Sequence, residues 1–216
     1  MQITWLGQAC FKIQTNNTIL AIDPYDNSIG LKVPHFGANL VLVTHDHKDH
    51  NNISAIRGIE GEKPFIVSGP GEYEAKGVFI YGIPSYHDTK EGTDRGTNTI
   101  YRIEAEGMSL VHLGDLGHNL SNGQLEKLKS VDILMIPVGG TYTINAKEAS
   151  QVISQIEPRI VIPMHYKVKG LKVNLESIDK FCKEIGVCST DKMPKLKITK
   201  KDLPTEEMKV FVLANT

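Results

Sequence analysis

The sequence contains little cysteine and no long apolar segment. Only three cysteines, Cys10, Cys182 and Cys188, occur among 216 residues. None of them forms a C-x-x-C pair, which argues against both a disulfide framework and a thiolate zinc site. No apolar run approaches the ~18 residues of a membrane span, and the first residues lack the basic and apolar regions of a secretory signal. We therefore expect a cytoplasmic protein without a membrane partner.

The sequence also lacks an excess of charge of either sign. It has 24 Lys and Arg against 25 Asp and Glu, a formal net charge of -1. Binding to a long polyanion requires a basic surface, so the bulk charge disfavours nucleic acid as a partner. With 40% hydrophobic and 23% charged residues, the composition is that of a globular protein. The length fits one domain over residues 1–216, and nothing in the sequence points to an oligomeric state.

Short strand patterns dominate the chain. Turn residues separate three of them near the N-terminus, which is typical of an antiparallel meander. The run 38–43 is apolar throughout and ends at Thr44, as expected of a strand buried on both faces. Strands are predicted over residues 2–6, 10–14, 18–22, 38–43, 65–68, 77–82, 99–104, 109–113, 133–137, 160–163, 195–199 and 209–213.

Helical periodicity is concentrated in the second half of the chain. The pattern predicts a capped helix over Ala146–Ile156 and another over 175–185 that begins after Asn174. Shorter helical segments are expected within 116–128 and 52–56. Strand blocks followed by helices in each half predict two mixed or antiparallel sheets packed face to face with helices outside. This arrangement is a four-layer αββα sandwich of the α/β class.

The segment His45-Asp46-His47-Lys48-Asp49-His50 directly follows the buried strand. In extended backbone, residues two apart project to the same side, so His45 and His47 can bind one ion at the ~2.0–2.1 Å that zinc requires. If the chain then turns, Asp49 and His50 can face a second ion. The alternative is a solvated polar loop, which such a dense group of His and Asp at a strand end disfavours.

Three further strand ends carry a residue that can bind a metal. His87, Asp115 and His165 each terminate an apolar segment. Loops on one rim of a sheet sandwich converge on a common site, so we expect these side chains to join the first cluster. His112 lies inside an apolar strand, and a hydrogen-bonded core histidine is the better interpretation there.

Taken in order, these residues resemble the pattern of the metallo-β-lactamase-fold hydrolases: H-x-H-x-D-H, a later His, an Asp after a strand and a last His. The outer segments resemble the small bacterial and archaeal branch related to ascorbate-6-phosphate lactonase. They are Trp5-Leu6-Gly7, Ile22-Asp23-Pro24, and residues 71–74, 95–99, 114–118, 136–140 and 163–167. The resemblance covers roughly residues 1–170. Relatives often carry His where Gln8 stands in this chain.

The resemblance implies two divalent metal ions. One would be held by His45, His47 and His87, the second by Asp49, His50 and His165, and Asp115 would bridge them. Asp23 would accept hydrogen bonds from the metal loop and fix its position. The remaining residues expected to contact these ligands or the substrate are His118, Tyr142, Tyr166 and Lys167.

The ligand types constrain the chemistry. Histidine and carboxylate without cysteine suit Zn, Mn or Fe, and the affinity order favours Zn. A hydroxide bridging two such ions, with Asp49 and Asp115 as catalytic carboxylates, attacks an ester, lactone, amide or phosphodiester bond. The expected substrate is a small anionic ester, lactone or phosphoester, with a phosphorylated sugar lactone indicated by the resemblance.

Two other functions stay open. The same chemistry serves a phosphodiesterase or ribonuclease, although the sequence lacks a net basic surface and has no room for a large inserted domain. The fold can also serve as a non-catalytic metal-binding interaction protein. Closed structural zinc sites have four protein ligands, whereas this pattern leaves open positions on both ions, which favours an enzyme.

Overall fold

The computed structural model describes residues 1–188 and 192–215. Their strands are β1 (Gln2–Gly7), β2 (Cys10–Gln14), β3 (Ile19–Ile22), β4 (Phe36–Gly37), β5 (Leu40–Val43), β6 (Ile56–Arg57), β7 (Phe65–Ser68), β8 (Gly71–Ala75), β9 (Val78–Tyr86), β10 (Thr97–Ala105), β11 (Met108–His112), β12 (Ile133–Pro137), β13 (Ile160–Met164), β14 (Leu196–Lys197) and β15 (Lys209–Val210). The α-helices are α1 (Asn122–Lys127), α2 (Ala146–Ile156) and α3 (Ile178–Ile185). Short 3-10 helices cover Asn27–Ile29, Ile53–Ala55 and Lys200–Asp202.

Two mixed sheets contain most of the strands. The first has the order β14-β1-β2-β3-β5-β7 and the second β15-β13-β12-β11-β10-β9-β8. In the first sheet an antiparallel meander continues into the parallel strands β3, β5 and β7. In the second, antiparallel pairs continue into the parallel strands β11, β12, β13 and β15. The carboxyl ends of β11, β12 and β13 therefore lie at one edge, where their loops can build a common site.

A large apolar core fills the space between the sheets. Leu40 and Leu42 of β5 belong to it and are fully buried. The alternate residues of the same strand, Val41 and Val43, pack with Ile56 in a smaller apolar cluster on the opposite face. Because successive side chains of a strand point to opposite faces, β5 is buried on both sides, as its continuous apolar sequence predicts.

The helices cover the sheets from outside. Helix α2 buries the stripe Ala149, Val152, Ile153 and Ile156 in the main core, and the Asn145 side chain caps its first turn. The outer face of the first sheet is covered by the cluster around Ile56, with Ile53 of the 3-10 helix packed against it. The predicted αββα sandwich is confirmed. Among the described residues, no helix combines the length and apolarity needed to cross a bilayer.

Several predicted elements need correction. Strand β8 was not predicted, because its charged and mostly exposed sequence is that of an edge strand. Helix α3 begins at Ile178 rather than after Asn174, since the backbone of Glu176 bonds instead to Gly139 and Lys167. The short helix expected after Ser121 within 116–128 is confirmed as Asn122–Lys127, with Ser121 as its N-cap. The segment within 52–56 contains a 3-10 helix, Ile53–Ala55, rather than an α-helix.

The cysteines also differ from expectation. Cys182 and Cys188 form a disulfide, with Cα atoms 5.1 Å apart. The sequence did not predict this bond, because a separation of six residues matches no redox or zinc motif. The turn that follows α3 brings the two side chains together. Cys10 is a buried free thiol.

Candidate metal centre

The metal loop, residues 45–50, leaves the end of β5 and turns back at once. The amides of His50 and Asn51 both donate to the carbonyl of His47, each at 2.9 Å. The placement of Asp49 and His50 at a second ion depends on this turn. It buries His45 and His50 and leaves His47 exposed.

The predicted ligand residues converge in three overlapping groups. Within each group the ligand atoms lie within 4.8 Å of one another. The groups are His45, His47 and His87; His45, His50 and Asp115; and Asp49, His50 and His165. The first and third are the two sets that the family resemblance assigns to separate ions.

Asp115 lies between those two sets. Its Oδ2 atom is 3.2 Å from His87 Nε2 on one side. On the other side the same atom is 3.2 Å from His165 Nε2 and 3.3 Å from His50 Nε2. A carboxylate in this position can bridge two cations, which is the role that the family resemblance implies for it.

Unpartnered atoms show that the cluster fits a metal. His45 Nε2, His50 Nε2 and Asp115 Oδ1 are buried and have no hydrogen-bond partner. Leaving several such groups unsatisfied in one place is costly, whereas divalent cations would use their lone pairs. Imidazole nitrogen and carboxylate oxygen are ligands that Zn, Mn and Fe accept.

The electrostatics of the cluster favour added positive charge. Burial lowers the pKa of His45 to about 2, so its imidazole is neutral. Burial acts to raise the pKa of Asp115, but His165 and His50 outweigh it and hold that pKa well below its usual range. Burial acts to lower the pKa of His50, yet Asp115 and Asp23 raise it well above its ordinary value. Without metal, a proton on His50 supplies charge that a cation would otherwise bring.

Comparison with known proteins agrees with this geometry. Residues 2–165 match the family described as the beta-lactamase superfamily domain. The chain belongs to this superfamily. A solved structure from Thermotoga maritima, assigned to the zinc-dependent hydrolases of the metallo-β-lactamase superfamily, is 34% identical. It superposes with a TM-score of 0.78 over 98% of this chain and 97% of that one.

A further relative agrees on metal-dependent hydrolysis, and a more distant solved structure agrees on the fold. The UPF0173 metal-dependent hydrolase of Methanopyrus kandleri is 29% identical over 195 residues, which cover 77% of this chain and 84% of that protein. Human tRNase Z, short form, shares the fold at a TM-score of 0.57 and 11% identity, over 78% of this chain and 93% of that one. The chain is thus a metal-dependent hydrolase of the metallo-β-lactamase superfamily.

Asp23 supports the metal loop through hydrogen bonds at both of its ends. Its Oδ1 accepts a hydrogen bond from the Thr44 amide at 2.8 Å, and its Oδ2 accepts one from the Thr44 hydroxyl at 2.7 Å. The same Oδ2 atom lies 3.0 Å from His50 Nδ1. Because this contact occupies Nδ1, it leaves His50 Nε2 directed into the cluster. These contacts agree with the supporting role that the family resemblance implies for Asp23.

Asn98 is a supporting residue that the sequence did not reveal. Its Nδ2 donates to Ser85 Oγ at 2.8 Å and to the Leu113 carbonyl at 2.9 Å, while its Oδ1 accepts from the Asp115 amide at 3.0 Å. These bonds fix the backbone that presents Asp115. Gly114 is needed at this point because its φ is +57° and an added Cβ would lie 2.3 Å from Asn98 Oδ1. Asn98 lies within the RGTNT segment, but only the fold shows its partners.

Asp88 organises the loop that follows His87. Its carboxylate accepts four backbone amides, from Lys90, Gly92, Asp94 and Arg95, at 2.7–3.1 Å. The sequence signal for this role was an Asp followed by Gly and polar residues, which is common in turns.

Arg95 and Tyr142, hereafter the rim pair, join two loops beside the cluster. The Arg95 guanidinium lies 5.7 Å from the centre of the Tyr142 ring, and its Nη2 donates to the Thr141 carbonyl at 3.4 Å. Both side chains are exposed. Each loop adjoins a predicted ligand. Arg95 lies in the loop that Asp88 organises after His87. Tyr142 lies in the loop after β12, where Gly139 packs so closely against His165 that an added Cβ would lie 2.1 Å from the His165 carbonyl. Tyr142 was predicted to contact the substrate; Arg95 was not.

Two predicted substrate contacts are contradicted. Tyr166 is fully buried, with its ring 4.8 Å from that of Trp5 and its hydroxyl 3.4 Å from the Leu213 carbonyl, so it belongs to the core. The Lys167 ammonium donates to the carbonyls of Leu171 at 2.7 Å and Val173 at 3.0 Å. It therefore holds the loop after β13 rather than facing the cluster.

His118 and His112 have structural hydrogen bonds. His118 Nε2 accepts from the Tyr86 amide at 3.1 Å, and its Nδ1 lies 2.7 Å from the Asn119 carbonyl. Both ring nitrogens are used by the backbone, so His118 stabilises the end of the strand that precedes His87 rather than contacting a ligand side chain or the substrate. Buried His112 bonds to the Ala9 carbonyl and to the Gly114 amide, as its core interpretation predicts.

Proposed function

We propose that this protein is a binuclear metal-dependent hydrolase acting on a small anionic ester, lactone or phosphoester. The observation that supports it most strongly is the position of Asp115 Oδ2, within 3.2–3.3 Å of nitrogens from His50, His87 and His165. One carboxylate between two sets of ligands is the arrangement expected for a bridged pair of ions.

In this proposal His45, His47 and His87 hold one ion, and Asp49, His50 and His165 hold the other. Zinc is the first choice, with Mn or Fe as alternatives, because the ligands are imidazoles and carboxylates. Bound ions would polarise the scissile bond and lower the pKa of a water molecule so that it attacks at neutral pH.

The two carboxylates have different surroundings. The Asp115 side chain is 3% exposed and enclosed by histidines, so it serves as a fixed bridge. The Asp49 side chain is 26% exposed, so one face of it meets solvent. Asp49 is thus the carboxylate that can accept a hydrogen bond from the attacking water and orient it.

The surroundings of the cluster fit a small anion. A cleft of about 540 Å³ reaches His45 and is lined also by Thr44, Asp46, Ser68 and Tyr86. This volume lies within the range of small-molecule sites. In the loop that follows His87, the Arg95 side chain is exposed and makes one hydrogen bond, which leaves donors for a carboxylate or phosphate group of the substrate.

The experiment compares the wild type, Asp115→Asn and the control Glu184→Gln, an exposed position on α3. Each is assayed against lactones, phosphomonoesters, phosphodiesters and RNA after reloading with zinc or manganese. We expect hydrolysis of a small anionic lactone or phosphoester, reduced at least ~100-fold in Asp115→Asn, since even residues that only orient ligands contribute 10–100-fold.

The other outcomes are distinct. Preferential cleavage of RNA would replace the small substrate with a nucleic acid. Binding of metal without hydrolysis of any substrate would favour the non-catalytic interaction protein. Full activity of Asp115→Asn would contradict the bridging role itself.

A further inference from the structure

Gln8 places an amide inside the ligand cluster. The side chain is fully buried, and its Nε2 lies 3.0 Å from Asp49 Oδ2 and 2.9 Å from His165 Nε2. Its Oε1 is also buried and has no hydrogen-bond partner. Both neighbours of Nε2 are assigned to the second ion, so the Gln8 amide borders that ion's site.

With Gln8 included, five polar atoms form a closed ring. Going round it, Gln8 Nε2 is 3.0 Å from Asp49 Oδ2, which is 3.5 Å from His50 Nε2. His50 Nε2 is 3.3 Å from Asp115 Oδ2, which is 3.2 Å from His165 Nε2. His165 Nε2 closes the ring at 2.9 Å from Gln8. Without Gln8 the ring is open between Asp49 and His165.

These spacings are those of ligands around one ion. Bonds of ~2.1 Å place neighbouring ligand atoms roughly 3.0 Å apart in octahedral geometry and about 3.4 Å apart in tetrahedral geometry. All five edges of the ring, from 2.9 to 3.5 Å, lie close to this range. The Gln8 amide therefore stands where a further ligand atom of the second ion belongs.

The amide must present its oxygen when the ion binds. An ion on His165 takes the lone pair of Nε2, so the Gln8 N–H can no longer donate to that nitrogen. An N–H directed at a cation is repelled, whereas a carbonyl oxygen is attracted. A half-turn of the amide exchanges Nε2 and Oε1, and it brings the unpartnered oxygen to the same point.

The backbone holds Gln8 in this place. Its carbonyl accepts hydrogen bonds from Trp5 Nε1 at 2.9 Å and from the His165 amide at 3.0 Å. Its φ is +50°, a left-handed conformation, and His165 and Asp23 share that conformation, with φ of +53° and +47°. These backbone contacts hold the Gln8 side chain against the cluster in a conformation that non-glycine residues rarely adopt.

We propose that the Gln8 amide oxygen is a ligand of the ion held by Asp49, His50 and His165. The proposal rests on the binuclear function proposed above. Gln8 would complete one side of the second site with a neutral oxygen. The alternative is that Gln8 only donates a hydrogen bond to Asp49 and orients it.

Substitution by glutamate separates these two roles. Gln8→Glu keeps an oxygen at the ligand position and adds negative charge, so a ligand role predicts that the second ion binds as tightly as in the wild type or more tightly. If Gln8 only donates to Asp49, the new carboxylate repels Asp49, and the second ion binds more weakly. Gln8→Leu removes both donor and oxygen, and a ligand role predicts a loss of ~10–100-fold in affinity for one ion only.

The measurement is competition between the metal-free protein and a chromophoric chelator for Zn²⁺, with Co²⁺ absorption spectra as a second readout of ligand number. Gln14→Leu, at the exposed end of β2, is the control and should match the wild type in both. Thermal unfolding of each metal-free variant checks the fold. If Gln8→Leu does not fold, the direction in which Gln8→Glu changes the affinity for the second ion still decides between a ligand and a hydrogen-bond donor.

The results distinguish this inference from the proposed function. Two ions in the wild type, with weakened binding of one in Gln8→Leu and undiminished binding in Gln8→Glu, support both. Two ions in the wild type, with Gln8→Glu weakened or Gln8→Leu unchanged, overturn the ligand role alone. A single ion in the reloaded wild type overturns the binuclear centre and the Gln8 assignment together.

Discussion

The Asp23 carboxylate and the His50 imidazole, 27 residues apart in sequence, are joined by a contact of 3.0 Å between Oδ2 and Nδ1. Both side chains are fully buried. The contact ties the end of β3 to the metal loop after β5, and it fixes which nitrogen of His50 faces the cluster. Asp23, which is not a proposed ligand, thus sets the orientation of His50, which is one.

Removing Asp23 should therefore weaken metal binding without touching a ligand. Asp23→Ala leaves the Thr44 amide and His50 Nδ1 without their acceptor. We expect a loss of ~10–100-fold in affinity for at least one ion, measured by chelator competition. The control is Asp179→Ala, at an exposed position in the first turn of α3. Equal affinities of Asp23→Ala and the wild type would show that the loop keeps its shape without this support.

A second prediction concerns the close packing beneath His165. A Cβ added to Gly139 would lie 2.1 Å from the His165 carbonyl oxygen, which is backbone and cannot turn away. Gly139→Ala should lower the free energy of unfolding by ~1–3 kcal/mol or more, as overpacking does elsewhere, and should also reduce metal binding.

The matched control is another glycine in open space. An added Cβ on Gly123, in α1, meets nothing within 4 Å. Gly123→Ala should raise the free energy of unfolding by up to about 1 kcal/mol, because alanine favours an exposed helix. Urea unfolding of both variants checks the pair. If Gly139→Ala is as stable as Gly123→Ala, the backbone at residues 139 and 165 moves apart to accommodate the added Cβ.

The third prediction concerns the rim pair. If Arg95 binds the anionic group of the substrate, Arg95→Ala should raise KM by ~10-fold or more with little change in kcat, because a charge-assisted hydrogen bond contributes about 1.5–3 kcal/mol. Arg57→Ala, an exposed arginine on β6, should leave KM unchanged. For a neutral ester with the same leaving group, KM should be the same in the wild type and in both variants. An equal loss for neutral and anionic substrates would instead assign Arg95 to holding the loop.

Much of the cluster could be read from the sequence, because the predicted ligands lie just after the ends of apolar strands, either singly or within the metal loop. Strand ends are fixed by the core, so His45, Asp115 and His165 come to one rim as soon as the two sheets pack. Asp23 was predicted for a different reason, since its place before Pro24 matched a known family pattern.

The errors at the site have a common physical cause. Tyr166 and Lys167 follow a ligand in sequence, but residues that follow a strand end can turn either toward the site or away from it. Here the backbone of His165 adopts a left-handed conformation with φ of +53°, and Tyr166 packs against Trp5 in the core. Proximity in sequence does not encode that turn.

Long-range contacts explain what the sequence did not reveal. The Asn98 side-chain amide links β10 to β9 and to the segment 113–115. The Gln8 amide lies within 3.0 Å of Asp49 and His165, which are 41 and 157 positions further along the chain. Gln8 was noticed only as a departure from the family pattern. Its place in the ring of ligand atoms required the packed structure.

Elemental mass spectrometry of untagged protein purified without chelators measures directly whether the converging ligands hold a pair of metal ions. We expect about two Zn, Mn or Fe per chain, and the same number after removal and re-addition of metal. About one ion per chain would contradict the bridged pair. No bound metal after reloading would contradict the metal centre altogether.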